Sequence, residues 1–425
     1  MFIGLKEIAG YYMNLAHGLR EAGYIVTTVG GSAHPYKYSI STERDILVKL
    51  YEYSARKYYT MTRRKLVKKT LLLIVFQVVK FLLFTWAIIK NDIFIFSFGN
   101  SFCSNSWDLF IFKLLGKRVI SNIAHGSEAR PPYIDGSYQT KDGTSLFSIE
   151  IFKKYANKME RNIRTIERWS DVILCWSGNC HFLKRKFVNS FYIGIPWSFE
   201  DSWDLKINTC SSVRILHCPS HPAAKGSFKI RSAIEDLKCK GYDIVFIEII
   251  NRPHAEVLNE LRKCDFVVDQ LYSDSPMAGF ATEAAWFCKP AVVGGYGWNV
   301  LLSHIPKEII PPSEICHPDE IENAIEKLII NKEYRQSLGK KANEFVRSNW
   351  SRNKVSQKFI CLITGNIPEH WYNNPEEIEY LYGSGLPENQ IKIIVGKIVH
   401  KYGVKALRLS HRPKLEKAFL KFADI

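Results

Sequence analysis

The second half of the chain alternates short, uninterrupted apolar runs with stretches of helical spacing, and no other feature constrains the fold as tightly. Val213-Arg-Ile-Leu-His-Cys218, Asp243-Ile-Val-Phe-Ile-Glu-Ile-Ile250, Asp265-Phe-Val-Val-Asp-Gln-Leu271 and Pro290-Ala-Val-Val-Gly294 read as strands. Phe228 to Gly241, Pro253 to Cys264 and the segment from Gly279 read as helices. A strand that is apolar along its whole length needs cover on both faces. Such strands, separated by helices of about 10 to 15 residues, predict a parallel sheet between two helical layers, a Rossmann-like domain.

The first half repeats the pattern less regularly. Met1 to Gly4, Tyr24 to Val29, Asp92 to Phe98, Lys117 to Asn122 and Asp171 to Cys175 read as strands, with helices at Gly10 to Gly23 and Leu109 to Leu115. A chain of 425 residues exceeds one comfortable core. The expected architecture is therefore α/β, with two tandem Rossmann-like domains, 1–200 and 201–345, facing each other across a cleft. Pro318 opens a further helix to Asn331, residues 346–365 form a crossover helix, and residues 366–425 form a basic helical extension. Ligands of such sheets bind outside the carboxyl ends of the strands, so the turns after Ile3, Asn122, Cys218 and Leu271 are where chemistry is expected.

With 46% hydrophobic and 24% charged residues the chain has the composition of a folded globular protein, but a formal charge of +16 calls for an anionic partner. The ten cysteines lie scattered in apolar runs without a Cys-x-x-Cys pair or zinc-like spacing, which predicts buried thiols in a reducing compartment. MFIGLKEIAGYY has no basic segment followed by an apolar core, so no secretory signal is expected there.

Much of the positive charge precedes an oily stretch. Arg56, Lys57, Arg63, Arg64, Lys65, Lys68 and Lys69 lead into an apolar run from Leu71 to Ile89. Its length approaches the ~20 residues of a membrane span. Lys80 near its centre would cost ~2.5 to 3.5 kcal/mol there, however, and a span would split a parallel sheet between compartments. Two readings remain open: a helix lying in the bilayer interface with its basic flank on anionic headgroups, or a buried helix of the first domain. Nucleic acid is not expected as a partner, because no recognisable nucleic-acid module accompanies the tyrosines of this region.

Three loops carry candidate chemistry. In DSPMAGFATEAAWFCKP, Gly279 opens a helix whose free amides offer an anion site, and Glu283 is an acceptor-only group suited to the vicinal hydroxyls of a ribose. The alternative is that Glu283 only complements the helix dipole. Lys225-Gly226-Ser227, after the first strand of the second domain, places a point charge and a glycine where a diphosphate is expected. His125-Gly126-Ser127-Glu128-Ala129-Arg130 follows the strand ending at Asn122 and puts an imidazole at the carboxyl edge of the first sheet; a purely structural histidine is the competing reading.

Together these loops resemble the retaining glycosyltransferases of the B fold, family 4 in particular, in the branch that builds bacterial surface polysaccharides. Lys225-Gly226-Ser227 is similar to that family's donor loop, Asp269-Gln270 with Gly279 to Ala284 to its nucleotide-sugar motif, and His125 to Arg130 to its His-Gly-Ser-Asp-x-Arg segment. Phe96 to Gly99 and Leu114 to Lys117 fit the same branch, and the similarity spans about residues 1 to 365. The resemblance implies that Lys225 neutralises the leaving diphosphate, Glu283 holds the ribose, Gly279 and Phe280 offer amides to phosphate oxygens, and His125 contacts the sugar. Gly226, Ser227, Asp274 and Ser275 would complete the donor site, and Gly10, Glu128 and Arg130 the acceptor side. It implies no metal and no cofactor beyond the nucleotide diphosphate sugar as co-substrate, and a glycan or lipid-linked glycan as acceptor; with the basic run Arg56 to Lys69 and the 71–89 helix on an anionic inner leaflet, a cytoplasmic protein peripheral on the inner face of the plasma membrane is expected. The chain departs from the pattern at Ser275, where the family carries a glutamate, and at Gly10, where many members have paired glycines. A degenerate nucleotide-sugar-binding or scaffolding subunit and a nucleotide-sugar epimerase are the competing functional classes.

Overall fold

The computed structural model describes residues 1–30, 45–61, 66–140, 143, 147–197 and 212–425. The expected division between residues 200 and 201, and Arg63, Arg64 and Lys65, lie outside the described residues. Seven strands form the first sheet, in the order β12-β6-β5-β4-β3-β1-β2. They are β1 (Phe2–Leu5), β2 (Thr27–Gly30), β3 (Ile93–Ser97), β4 (Arg118–Asn122), β5 (Val172–Cys175), β6 (Phe187–Asn189) and β12 (Tyr372–Asn373). Five strands form the second, in the order β11-β10-β9-β7-β8: β7 (Val213–His217), β8 (Ile244–Glu248), β9 (Phe266–Gln270), β10 (Ala291–Gly294) and β11 (Glu314–Cys316). Every pairing is parallel except β12 against β6.

The apolar runs become central strands for the reason their composition suggests: β1, β5, β9 and β10 are buried at every position, with helices covering both faces. Three strands were not anticipated. β6, β11 and β12 are two or three residues long at or near sheet edges, too short to show a periodicity. In the predicted helix from Pro318, the first three residues instead form a 3-10 turn before the helix Ile321–Ile330.

The helix Tyr11–Glu21 follows β1 and points its start at the cleft. Glu7 caps it from a distance, its carboxylate accepting from the amides of Ile8 (2.9 Å), Tyr12 (3.2 Å) and Met13 (3.0 Å). The amides of Tyr12 and Met13 are donors that a helix start leaves without intrahelical partners. Gly10 provides the left-handed turn into the helix, at φ 82°. On the far side, Gly18 lets the helix Arg352–Thr364 approach so closely that a Cβ there would sit 2.1 Å from Ser356 Oγ. The chain thus returns from the second domain to pack on the first.

Residues 366–425 form more than an appended helical extension. They supply β12, bury Ile391, Ile394, Val395 and Ile398 of the helix Glu388–Tyr402, and wedge a loop between the domains. In that loop Ser384 N donates to Ile134 O (3.1 Å) in the first domain, while Gly385 N donates to Tyr272 O (2.8 Å) in the second. The basic side chain Arg412 is buried, donating to the carbonyls of Cys180, Ile378 and Pro375.

The oily helix, Leu66–Lys90, is not the all-round buried core helix of one expected alternative. Phe76, Val79, Leu83 and Ala87 pack inward, whereas Leu71, Ile74, Val78, Phe81 and Ile89 are each more than half exposed. A crossing by this helix alone would put β2 and β3 on opposite sides of a bilayer, yet both pair with β1. It forms a hairpin with the helix Ile46–Thr60. Glu52 accepts the N–H of Gly30, the last residue of β2 (3.1 Å), and Tyr51 and Tyr58 both pack on Phe76. That contact places Glu52 at the carboxyl end of β2, and the helix Leu66–Lys90, whose last residue leads into the start of β3, runs from that end to the other; at about 1.5 Å per residue its 25 residues are longer than any strand of the sheet, so its first turns extend past the strands' carboxyl ends.

Arg412→Met, which removes the donor from several buried carbonyls, is expected to lower stability to urea by about 1–3 kcal/mol. An unchanged unfolding midpoint would show that the tail is not part of the cooperative body.

Candidate active site

Two joined cavities open between the domains at the carboxyl ends of both sheets. One, of about 360 Å³, lies between the residues after β1 and β4 (Ala9, Tyr11, Asn122, His125) and those of the second domain (Lys225, Gln270, Ser275, Gly279). The other, of about 240 Å³, is lined mainly by the second domain, among Cys218, Ser220, Asn251, Arg252, His254 and Glu283, with Ala9 of the first domain on its wall. Lys225 and Gly279 line both, so a ligand with an anionic centre and two arms would place the anion between them.

Lys225 ends a short helical turn, Pro222–Lys225, that is pinned to β9 by Leu271 N donating to Lys225 O (2.9 Å). Its Nζ is 3.1 Å from Asp269 Oδ1, and the second oxygen of Asp269 is buried without a partner among the described residues. A buried carboxylate thereby aims the ammonium at the cleft. The helix Gly279–Trp286 presents its first turn to the same point, where the amides of Gly279 and Phe280 have no intrahelical acceptor.

Glu283 lies in the second turn of that helix, 4% exposed, on the wall of the smaller cavity. Its Oε1 is 2.9 Å from His254 Nε2. Burial raises its pKa and the His254 hydrogen bond opposes the rise. This contact is richer than either a bare ribose acceptor or a dipole-complementing surface acid, and the sequence contains no spacing signal that links residues 254 and 283.

On the opposite wall His125 is enclosed by Tyr11 and Tyr12 edge-on and by Phe98 in parallel, with Tyr12 Oη 2.7 Å from its Nε2. Burial, and secondarily the charge of Lys6, push its pKa down to about 3. The imidazole is therefore neutral at physiological pH and acts through hydrogen bonding rather than charge. Glu128 turns away from the cavity: Oε1 accepts from His125 N (2.6 Å), Oε2 is buried without a partner among the described residues, and burial lifts its pKa to about 7. It shapes the His125 loop rather than forming acceptor wall.

Arg130 and Asp274 form a bridge instead of two separate contacts. Arg130 Nε and Nη2 donate to Asp274 Oδ2 (3.1 and 2.5 Å), and Nη1 to Asp135 Oδ2 (3.3 Å), all nine-tenths or more buried. Burial pulls the guanidinium pKa down, but the two carboxylates more than offset it and hold the group charged. Trp176 Nε1 donates to Asp274 O (2.6 Å), fastening the same residue to the first domain. Arg130 and Asp274 thus bind each other across the cleft, and both also line the larger cavity.

Three further expectations are corrected. Ser227 is fully buried with Oγ 2.8 Å from His217 Nε2, outside both cavities. Gly226 is required by packing, not by phosphate: at φ 72° a Cβ would lie 2.5 Å from Leu271 Cβ. Gly10 is buried behind Ala9 and Tyr11, which line the cavity in its place. Ser275 does reach the cavity wall, its amide held by Ser273 Oγ (3.0 Å). Trp176, Trp197, Trp350 and Ser384 also reach the larger cavity; they come from four distant segments without a motif of their own.

Removing one partner of a buried pair strands the other charge, at ~3–5 kcal/mol. Asp274→Ala leaves Arg130 with Asp135 alone and is expected to destabilise by up to that amount in chemical denaturation, and the triple variant Arg130→Met/Asp274→Leu/Asp135→Asn, which strands no charge, to recover most of it. Additive losses would show that the three residues do not act together.

No protein-family model matches the chain, and no curated protein matches it. Solved structures do. Sucrose-phosphate synthase from Thermosynechococcus elongatus superposes with a TM-score of 0.50 at 13% identity over 86% of this chain and 98% of that one. Anabaena Alr3699/HepE in complex with UDP and glucose gives 0.49 at 11% identity, covering 86% and 98%. The catalytic domain of starch synthase IV from Arabidopsis thaliana, bound to ADP and acarbose, gives 0.48 at 11% identity with the same coverage. At 13% identity the likeness to the first of these is one of fold: with two parallel-sheet domains facing a cleft and helices at the carboxyl terminus, the chain adopts the glycosyltransferase B fold.

Proposed function

We propose that the protein transfers a sugar from a nucleotide diphosphate donor to a hydroxyl of a glycan or lipid-linked glycan, with retention of anomeric configuration, in the assembly of a cell-surface polysaccharide. The observation that carries this reading is the meeting of Lys225 Nζ and the first turn of the helix Gly279–Trp286 where the two cavities join. A diphosphate there has a cation and free amides on its oxygens, its ribose arm runs toward Glu283, and its sugar arm runs toward His125. Charge builds on the leaving diphosphate as the sugar departs. One well-aimed donor at such a point is worth ~2.7 to 4 kcal/mol, more than a helix terminus supplies at a surface. His125, neutral, contributes a hydrogen-bonding edge beside the reacting carbon.

A binding-only subunit is the second reading, favoured by one observation: Asp274 is the only carboxylate among the described residues lining the larger cavity, and Arg130 already holds it. The same shortage of carboxylates speaks against an epimerase, which has to move protons at the sugar.

The hairpin that projects beyond the sheet edge supports work at a membrane. It carries Arg56, Lys57, Lys68 and Lys69 toward its tip and an exposed apolar stripe along Leu66–Lys90. Phe84 against Phe112 joins it to the helix Leu109–Leu114, where Leu114 and the preceding Trp107 are also exposed. An apolar face flanked by cations complements an anionic bilayer, at about 1 kcal/mol per Lys or Arg. Docked this way on the inner face of the plasma membrane, the cytoplasmic enzyme would turn its cleft toward a lipid-linked acceptor.

Lys225→Ala is expected to lower turnover about a hundredfold or more, and Glu283→Ala to weaken donor binding. A thermal-shift panel of nucleoside diphosphates and their sugars selects the donor, since a ligand at about 100 times its Kd stabilises by ~2.7 kcal/mol. Unchanged kinetics in both variants would overturn the site, and donor binding without turnover on any acceptor would favour the binding subunit. In co-sedimentation with anionic liposomes at low salt the full-length protein is expected to pellet, and replacing Phe81 and Ile74 with serine to release it; a protein that stays in the supernatant does not dock this way.

A further inference from the structure

We infer that His254 is a positioning residue for nucleotide binding: through its Nε2 contact it holds Glu283 as the acceptor for the ribose hydroxyls. The inference rests on the nucleotide-sugar reading of the cleft.

The ring has little freedom. His254 is the first residue of the helix His254–Lys263, set by Pro253 at φ −55°, and the Trp197 indole lies parallel to it at 6.1 Å. Trp197 is itself fastened where the chain crosses back between domains, its N donating to Trp350 O (3.3 Å) and its O accepting from Arg352 N (3.0 Å). The imidazole therefore reaches Glu283 Oε1 from a fixed direction, and both residues lie on the wall of the smaller cavity.

The chemistry sets the direction of the proton. An ionised carboxylate only accepts, so His254 Nε2 carries the hydrogen. Oε2 of Glu283 has no hydrogen bond within the protein among the described residues and remains for the ligand. The other ionisable groups near this carboxylate do not replace His254. Asp269 repels it and is paired with Lys225, and Cys218 is a thiol whose pKa burial pushes well up. Arg252 lines the cavity without an ion pair to Glu283. Burial alone would favour the protonated acid; the His254 hydrogen bond is the largest effect opposing it.

The sign follows. Without His254 the carboxyl pKa rises further, so the ionised form and its acceptor oxygen are lost at a higher pH. Nucleotide affinity should then weaken as pH falls. The diphosphate, held by Lys225 and the amides of Gly279 and Phe280, touches none of this.

The test is calorimetric titration of full-length wild type, His254→Ala and His254→Gln with uridine, guanosine and adenosine diphosphates and with inorganic diphosphate, at about pH 8 and about pH 6. For the nucleotide that wild type prefers, His254→Ala should lose about tenfold or more in affinity at the lower pH and less at the higher, as expected for a missing charge-assisted hydrogen bond. His254→Gln, which keeps an N–H donor, should restore most of it, and inorganic diphosphate should bind wild type and His254→Ala alike. Equal nucleotide binding by wild type and His254→Ala at both pH values would overturn the inference. So would a parallel loss of inorganic diphosphate, or a loss that glutamine does not rescue, either of which makes His254 a packing residue. If wild type binds no nucleotide, the reading of the cleft itself fails, a result distinct from all of these.

Discussion

The cleft exists in its observed form because one guanidinium is shared between two domains. Arg130, on the loop after β4, meets Asp135 on its own domain and Asp274 on the other, all three largely buried. Such a pair contributes little net stability compared with well-packed apolar residues, but it tolerates no other partner geometry once formed. The lobes therefore meet in one relation, with the His125 loop facing Lys225 and the start of the helix Gly279–Trp286. Loop 380–386 reinforces that relation from behind, by bonding Ile134 and Tyr272 at once.

Around this bridge the candidate site divides its labour by charge. The second domain offers a cation at Lys225, helix-start amides without intrahelical acceptors, and a carboxylate at Glu283. The first domain supplies an imidazole kept neutral by an aromatic enclosure and by Lys6. Carboxylates in this region mostly serve other side chains: Asp269 aims Lys225, Glu128 holds the His125 loop, and Asp274 holds Arg130. A polyanionic ligand is well matched by such a site, since carboxylates near the shared anion position are already neutralised by neighbours.

The basic charge divides in a similar way. Part of it is structural, as in Arg412, buried against backbone carbonyls, and Arg130. Part is displayed on the projecting hairpin beside an apolar stripe. The net charge alone does not distinguish these uses, because a cation spent inside the fold and one offered to a surface count the same.

The local patterns were sufficient for what depends on short-range order. Continuous apolar strands separated by helices require a doubly covered parallel sheet, and the turns after β1, β4, β7 and β9 do hold Ala9, His125, Lys225 and Ser275 at the cavity wall. What depends on distant segments was settled only by tertiary packing. Asp274 lies in the turn after β9, but its partner stands 144 residues earlier. His254 and Glu283 meet because two helices of one sheet face converge, and Ser227 turns inward because His217 needs a partner. Gly226 and Gly10 answer to backbone geometry rather than to ligand. A periodicity reports which face of an element is covered; it carries no information on which side chain from another element covers it, and that choice determines the residues left free to bind.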